Sequence, residues 1–410
     1  MKGPLHLFQG YGVELEYMIV DRTTLDVRSL ADHLLRSSVG EPQLELQRGD
    51  FAWSNELALH VLEMKTAGPS PTLKGLADGF QREISAASQY LAEVGARLLP
   101  TAMHPWMDPV RESRLWPHEQ GPIYQAYDRI FDCRGHGWTN VQSVHLNLPF
   151  AGDIEFGRLH AAIRAVLPLL PALAASSPYV EGRAGEALDA RLDYYCRNQK
   201  RVPAIAGLVI PERVWTRSGY RRKVLWPMYQ EIAPLDPAGV LQEEWLNSRG
   251  AIARFERSAI EIRLLDIQET PRADCAILRL VDAVIRALLG EKWVEQEALR
   301  QLDEAVLGGV LQDCIRTADQ AWVADPGLLR VFGFTGALRA GELWSRLTES
   351  LLDGAVEPDV VGPLQMIANR GPLARRILKV CGREPDRSSL RDTYLELADC
   401  LERGELFDRG

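Results

Sequence analysis

The chain has 410 residues, of which 46% are hydrophobic and 25% charged, and its formal net charge is −9. Those proportions exclude a largely disordered chain and leave room for two or three folding units or one elaborated domain. The acidic balance excludes a whole-chain field that gathers nucleic acid, and the local basic run Arg221, Arg222 and Lys223 reads as a solvated face.

Along the chain, Tyr11 to Asp21 (YGVELEYMIVD) reads as a strand, with Val13, Leu15 and Tyr17 on one face and Glu14, Glu16 and Met18 on the other. Residues 43–48 and 56–66 (ELALHVLEMKT) also read as strands. Over residues 79–95 the period changes, with Phe80, Ile84, Ala87, Leu91 and Val94 marking an amphipathic helix. Residues 98–103 and 141–150 return to extended character, and the Trp-, His- and Gly-rich stretch between them reads as a long functional loop or cover. Residues 156–175 read as a helix that Pro168 and Pro171 interrupt or kink. Residues 183–230 read as loops with short helices, and 258–267 (SAIEIRLLDI) as the last strand. After Pro271 the pattern is helical almost to the end, with breaks at Gly308, Pro326, Gly336 and Gly362–Pro363. Strands followed by a helical final third predict an α+β fold with a mainly antiparallel sheet.

The strands carry the chemistry. Alternation places Glu14 and Glu16 on one face, about 7 Å apart. Two such acids repel unless water, cations or arginines meet them, and Mg2+ is a hard cation suited to their oxygens. Glu63 shares parity with Lys65, whereas Glu56 lies on the opposite parity unless a bulge intervenes. His145 and Asn147 share a face in SVHLNLPF, as do Glu261 and Arg263 in AIEIRLLD. A sheet whose one face holds metal and nucleotide phosphates explains four such polar faces better than four unrelated solvent faces. His104 and His136 read as loop histidines near a pocket, and Trp106, Trp116 and Trp138 as cover or core. No GxxxxGK phosphate loop, GxGxxG, GxSxG or HExxH is present.

The six cysteines (Cys133, Cys196, Cys275, Cys314, Cys381 and Cys400) form no CxxC pair and single out no nucleophile. The first residues, MKGPLHLFQGYGVELEY, reach acidic positions before any apolar stretch of signal-peptide length, and no apolar run nears the roughly 20 residues of a membrane span. A cytoplasmic location is the expectation.

Together these segments resemble glutamate–cysteine ligase family 2, the carboxylate–amine ligases. GVELEYMIVD is similar to the family's Gly-Val-Glu-x-Glu opening, and NELALHVLEMKT to a strand with an early and a later Glu before a Thr. TAMHPW, SVHLNLPF, AASSPYVEGR and AIEIRLLDIQ follow in family order, so the likeness runs from residue 10 to about residue 270. The resemblance implies a curved antiparallel sheet of the glutamine synthetase type, with residues 1–271 forming the catalytic part. Residues 272–410 would then be a helical region packed on it as one continuous unit. It implies use of ATP and Mg2+ or Mn2+ to join a carboxylate, typically the γ-carboxylate of glutamate, to an amine. The expected partners are thus small molecules, with no nucleic acid and no membrane, and a homo-oligomer is left open.

Carried over by position, Glu14, Glu16 and Glu63 would be metal ligands, with Glu56 and His145 beside them. Glu261 would join the metal or phosphate site, and Arg263 would contact the transferring phosphoryl group. Asn147, His104, Arg197, Lys200, Arg254 and Arg257 complete the expected substrate or nucleotide contacts. Many members carry His-x-His where this chain has His145-Leu146-Asn147, and Asn still offers an oxygen. Two rival readings share the sheet: a phosphotransferase acting on guanidino groups, and a catalytically weak metabolite-binding or partner protein.

Overall fold

The computed structural model describes residues 3–36, 40–352 and 358–409. Its main sheet contains β1 (Gly12–Asp21), β2 (Glu45–Arg48), β3 (Phe51–Asn55), β4 (Val61–Thr66), β5 (Ala96–Leu99), β6 (Ser143–Pro149), β7 (Ala251–Arg254) and β8 (Ala259–Asp266). The strand order is β2-β3-β4-β1-β6-β8-β7, with β5 paired to the last four residues of β1. Every pairing in this sheet is antiparallel. The helices that bear on it are α1 (Leu76–Glu93), α2 (Gly121–Phe131), α3 (Gly152–Val166), α4 (Ala190–Tyr195), α5 (Pro271–Leu289) and α6 (Arg387–Arg403).

Alternation in β1 decides what each face meets. Val13, Leu15, Tyr17 and Ile19 enter the main core with Leu62, Met64, Leu146 and Ile262. Phe80, Ile84 and Leu91 of α1 and Val284 and Leu288 of α5 close that core from the helical side. Burying each such side chain contributes roughly 1.5–3 kcal/mol, enough to hold the register, because a one-residue slip would turn the set outward. On the other face Glu14 and Glu16 are followed by Met18 and Val20, which sink into a second cluster with Leu99, Trp106, Leu390, Tyr394 and Leu397. The final helix α6 therefore covers one half of that face, and the carboxylates occupy the half it leaves. Residues beyond 271 thus supply apolar side chains to both faces of the sheet.

Several expected boundaries move. The strand expected over 56–66 begins at Val61, and Phe51–Asn55 forms a strand that periodicity missed because all five of its residues are buried. The expected 98–103 segment is strand only as Ala96–Leu99, and the long cover before β6 contains α2. The prolines act as expected: α3 stops at Val166, a 3-10 turn carries Pro168, and a short helix restarts at Pro171. Residues 183–230 do contain short helices, α4 among them. No helix among the described residues is long and apolar enough to cross a membrane.

Candidate active site

Directly opposed residues of antiparallel strands share a face. Glu14 therefore stands between Lys65 of β4 and His145 of β6, and Glu16 faces Glu63, which faces Ser54. Asn147 stands between Gly12 and Glu261. These rows bring Glu14, Glu16, Glu63, His145, Asn147 and Glu261 onto one polar surface. His145 is its hub: Nδ1 lies 2.8 Å from Glu14 Oε2 and 3.9 Å from Glu261 Oε1, while Nε2 lies 3.0 Å from Ser143 Oγ and 3.8 Å from Glu16 Oε1. Asn147 donates Nδ2 to Glu14 Oε1 at 3.2 Å, and its Oδ1 is buried without a partner. Ser143 donates both its backbone N–H and its hydroxyl to Glu16 Oε2, at 2.8 and 3.0 Å.

Glu56 reaches the same surface by another route. It follows β3 in the connection to β4, so strand parity does not govern it, and a carboxylate oxygen of Glu56 lies within 4.8 Å of oxygens of Glu16 and Glu63. A second group, Glu14, Glu63 and His145, is equally close. Burial and the charges of Glu16, Glu63 and Glu14 push the Glu56 carboxyl well above its ordinary range, and burial with Glu63 raises Glu16. Burial opposes ionisation of His145, yet the hydrogen bond it donates to Glu14 and the charges of Glu16, Glu14 and Glu261 raise it to about 8. Glu261 behaves oppositely: burial would raise it, but Arg263, His145 and Arg254 hold it down to about 2.

Arg263 donates Nε to Glu261 Oε1 at 2.7 Å, and Arg254 donates Nη1 to Glu261 Oε2 at 3.2 Å. A bulge between Ile262 and Leu265 then shifts the register, so that Asp266 opposes Ser143 and turns to the same face as Glu261. Strict alternation hid that carboxylate. It binds Nε of Arg191 from α4, a guanidinium only 2% exposed, and accepts from Ser176 and Ser177 as well. No spacing in residues 183–230 marked Arg191; only the fold brings α4 to the sheet.

Two cavities open along this surface. One, of about 230 Å³, is lined by Glu16, Glu56, His145, Arg191 and Arg263 and by the rings of Tyr124, Tyr127, Trp138, Tyr195 and Trp245. The other, of about 480 Å³, has Tyr11, Glu14, Lys65, Asn147 and Arg257 along its walls. Glu14 and Asn147 border the second and Glu16 and His145 the first, so the acidic rows form the ridge between them.

The remaining expected contacts fall elsewhere. His104 is fully buried, with Nε2 2.7 Å from the Leu25 carbonyl and Nδ1 accepting from Trp106 N at 3.2 Å. Burial lowers it to about 3, so it is a neutral core residue away from both cavities, which corrects its expected substrate role. His136 bonds to Asn140 and faces Glu181. Arg197 points to solvent with Asp193, and Lys200 is exposed; their neighbours Asn198 and Gln199 line the first cavity instead. Trp106 and Trp116 are buried, whereas Trp138 faces the first cavity. All six cysteines are free thiols.

A family model described as glutamate-cysteine ligase family 2 matches residues 11–316. An uncharacterized protein of Archaeoglobus fulgidus is 37% identical over 298 residues, covering 73% of this chain and 80% of that one. A Bradyrhizobium protein (strain ORS 278), provisionally named glutamate–cysteine ligase 2, is 28% identical over 294 residues, covering 68% of this chain and 62% of its own length. Among solved structures, a glutamate–cysteine ligase of Francisella tularensis in complex with AMP superposes with a TM-score of 0.61 over 96% of this chain and 88% of that one. At 13% identity that likeness is one of fold.

Proposed function

The chain belongs to glutamate–cysteine ligase family 2, and from that membership we propose that it is an ATP-dependent carboxylate–amine ligase that activates the γ-carboxylate of glutamate. The observation that carries this reading is the ridge of Glu14, Glu16, Glu63 and His145 beside the ion pair of half-buried Arg263 with buried Glu261, with a cavity on each side.

The donor set fits a divalent cation. Glu56 and Glu16 are pushed toward protonation by burial and by other carboxylates, a repulsion that a hard cation relieves, and Asn147 Oδ1 is a buried oxygen without a partner. Glu14, Glu63 and His145 would hold one Mg2+ or Mn2+, and Glu16, Glu56 and Glu63 could hold another. Such an ion would screen the polyphosphate and the incoming carboxylate.

The chain's own residues supply the rest. Arg263, anchored through Nε, keeps the outer edge of its guanidinium for phosphoryl oxygens, and Glu261 with Arg254 keeps that anchor rigid. Lys65 and Arg257 line the larger cavity, where a nucleotide's phosphates would meet positive charge. Arg191, held by Asp266, offers its remaining N–H groups to an acidic substrate in the smaller cavity. In the reaction, a carboxylate oxygen attacks the γ-phosphorus and ADP leaves. The amine nitrogen then bonds to the acyl carbon as the carbon–oxygen bond to phosphate breaks, phosphate keeps the electron pair, and the nitrogen's surplus proton passes to water.

The test is phosphate release with ATP, Mg2+, glutamate and a panel of amines, followed by mass analysis. Amide product with stoichiometric phosphate supports the ligase. A phosphorylated product without amide would mark a phosphotransferase, and nucleotide binding without phosphate release a binding protein.

A further inference from the structure

Building on the ligase reading above, we propose that the acceptor is an arylalkyl primary amine, its ring seated among Tyr127, Trp138 and Trp245 in the smaller cavity. These rings come from three separate segments: α2, the short turn His136–Thr139, and the turn Glu244–Leu246. Tyr127 lies 5.6 Å from Trp138 at 54° and 6.0 Å from Trp245 at 45°. Phe131, which does not line the cavity, stacks on Trp138 at 5.5 Å and 29°. Each of the three is only half-buried and lines the cavity, so the rings brace one another while keeping apolar surface open to a ligand. A flat ring meets such a box by stacked or edge-on contact, whereas a small thiol leaves it wet.

Gln199 gives the polar half of the argument. It is 4% exposed and lines the same cavity, and its Nε2 donates to Ser248 Oγ at 3.0 Å. Its Oε1 is buried with no partner. That acceptor requires a donor, which an ionised carboxylate or a phosphoryl oxygen cannot supply and an amine N–H can. The donor carboxylate is matched by the arginines, and the acceptor by the rings and Gln199.

Calorimetric titration with phenethylamine and with cysteine, each beside the Mg2+ complex of a non-hydrolysable ATP analogue, reads acceptor binding without turnover. Phenethylamine is expected to bind at least about tenfold more tightly than cysteine. Trp245→Ala should abolish that preference and Trp245→Phe, which retains a ring, should keep most of it. Equal or tighter binding of cysteine, a uniform loss for both amines in Trp245→Ala, or no binding of phenethylamine overturns the proposal. Should Trp245→Ala fail to fold, Trp138→Ala applies the same test. The two readings separate cleanly. A preference for phenethylamine without amide product from any amine supports the subsite and sinks the ligase, whereas amide formed from cysteine at higher kcat/KM than from phenethylamine sinks the subsite and supports the ligase.

Discussion

Replacing Arg263 by Lys separates a catalytic guanidinium from a structural one. In the structure the side chain makes a short bond, Nε to Glu261 Oε1 at 2.7 Å, a long contact, Nη1 to the Asn247 carbonyl at 3.5 Å, and an interaction with the Tyr195 hydroxyl. Glu261 is not left unpaired by the change, because Arg254 still reaches its Oε2 at 3.2 Å. A lysine ammonium also restores positive charge beside it. The folding cost is therefore limited to about one charge-assisted hydrogen bond, roughly 1.5–3 kcal/mol at most, which lowers the melting temperature by a few degrees. Catalysis should suffer more. An ammonium cannot offer a planar fork to phosphoryl oxygens, and losing such a donor costs about 2–4 kcal/mol of transition-state stabilisation, or roughly 30- to 900-fold in turnover. ATP affinity should stay within several-fold, since ground-state charge is retained. The assay is metal-dependent phosphate release normalised to folded protein, with melting measured on the same preparation. A variant that melts lower yet turns over at the normal rate would refute the reasoning and leave Arg263 as a strand-steadying ion pair.

Glu16→Gln keeps volume while removing a charge from a buried carboxylate, so the fold should persist while Mg2+-nucleotide affinity falls about tenfold or more; unchanged affinity and turnover would strike Glu16 from the ligands. Single Ser or Ala replacements of the cysteines should leave turnover within about tenfold, since burial raises each thiol and the acyl phosphate supplies activation; a trapped acyl-enzyme would contradict this. Acid should destabilise the fold through His60, His104 and His160, which burial lowers to about 4, 3 and 3 from an ordinary value near 6.5. Their neutral forms contribute stability that is full above pH 6.5 and lost as pH falls toward 4 and 3, about 2 kcal/mol each by pH 5. His145, raised to about 8, has the opposite sign: its contribution is full below pH 6.5 and lost as pH rises through 8, so between pH 7.5 and pH 5 it offsets a little over half of one of the three, and the carboxyls of Glu56, Glu16, Asp189 and Asp274, which burial raises, act in the same direction. Replacing His160 by Phe should remove about 2 kcal/mol of that acid destabilisation, and an unchanged difference in melting temperature between pH 7.5 and pH 5 in this variant would refute the assignment.

The residue order by itself marked six of the main sheet's eight strands, though neither Phe51–Asn55 nor Ala251–Arg254, and most of its polar face. In β1, β6 and the first half of β8, alternation has a period of two, and it correctly paired Glu14 with Glu16, His145 with Asn147, and Glu261 with Arg263. Amphipathic period and proline positions likewise marked α1 and the breaks after α3. What alternation cannot see is anything that interrupts it. Glu56 sits in a connection between two strands, and Asp266 lies past a bulge that reverses its side, so both reach the polar face only because the chain bends. His104, which its loop neighbours made a candidate for the site, is instead drawn into the apolar cluster beneath α6. Arg191, Gln199 and the rings of Tyr127, Trp138 and Trp245 come from helices and connections spread between residues 127 and 245, which no strand alternation relates. Their meeting over the carboxylate ridge is a long-range packing outcome, set by which helices cover the sheet and which part of its face α6 leaves open.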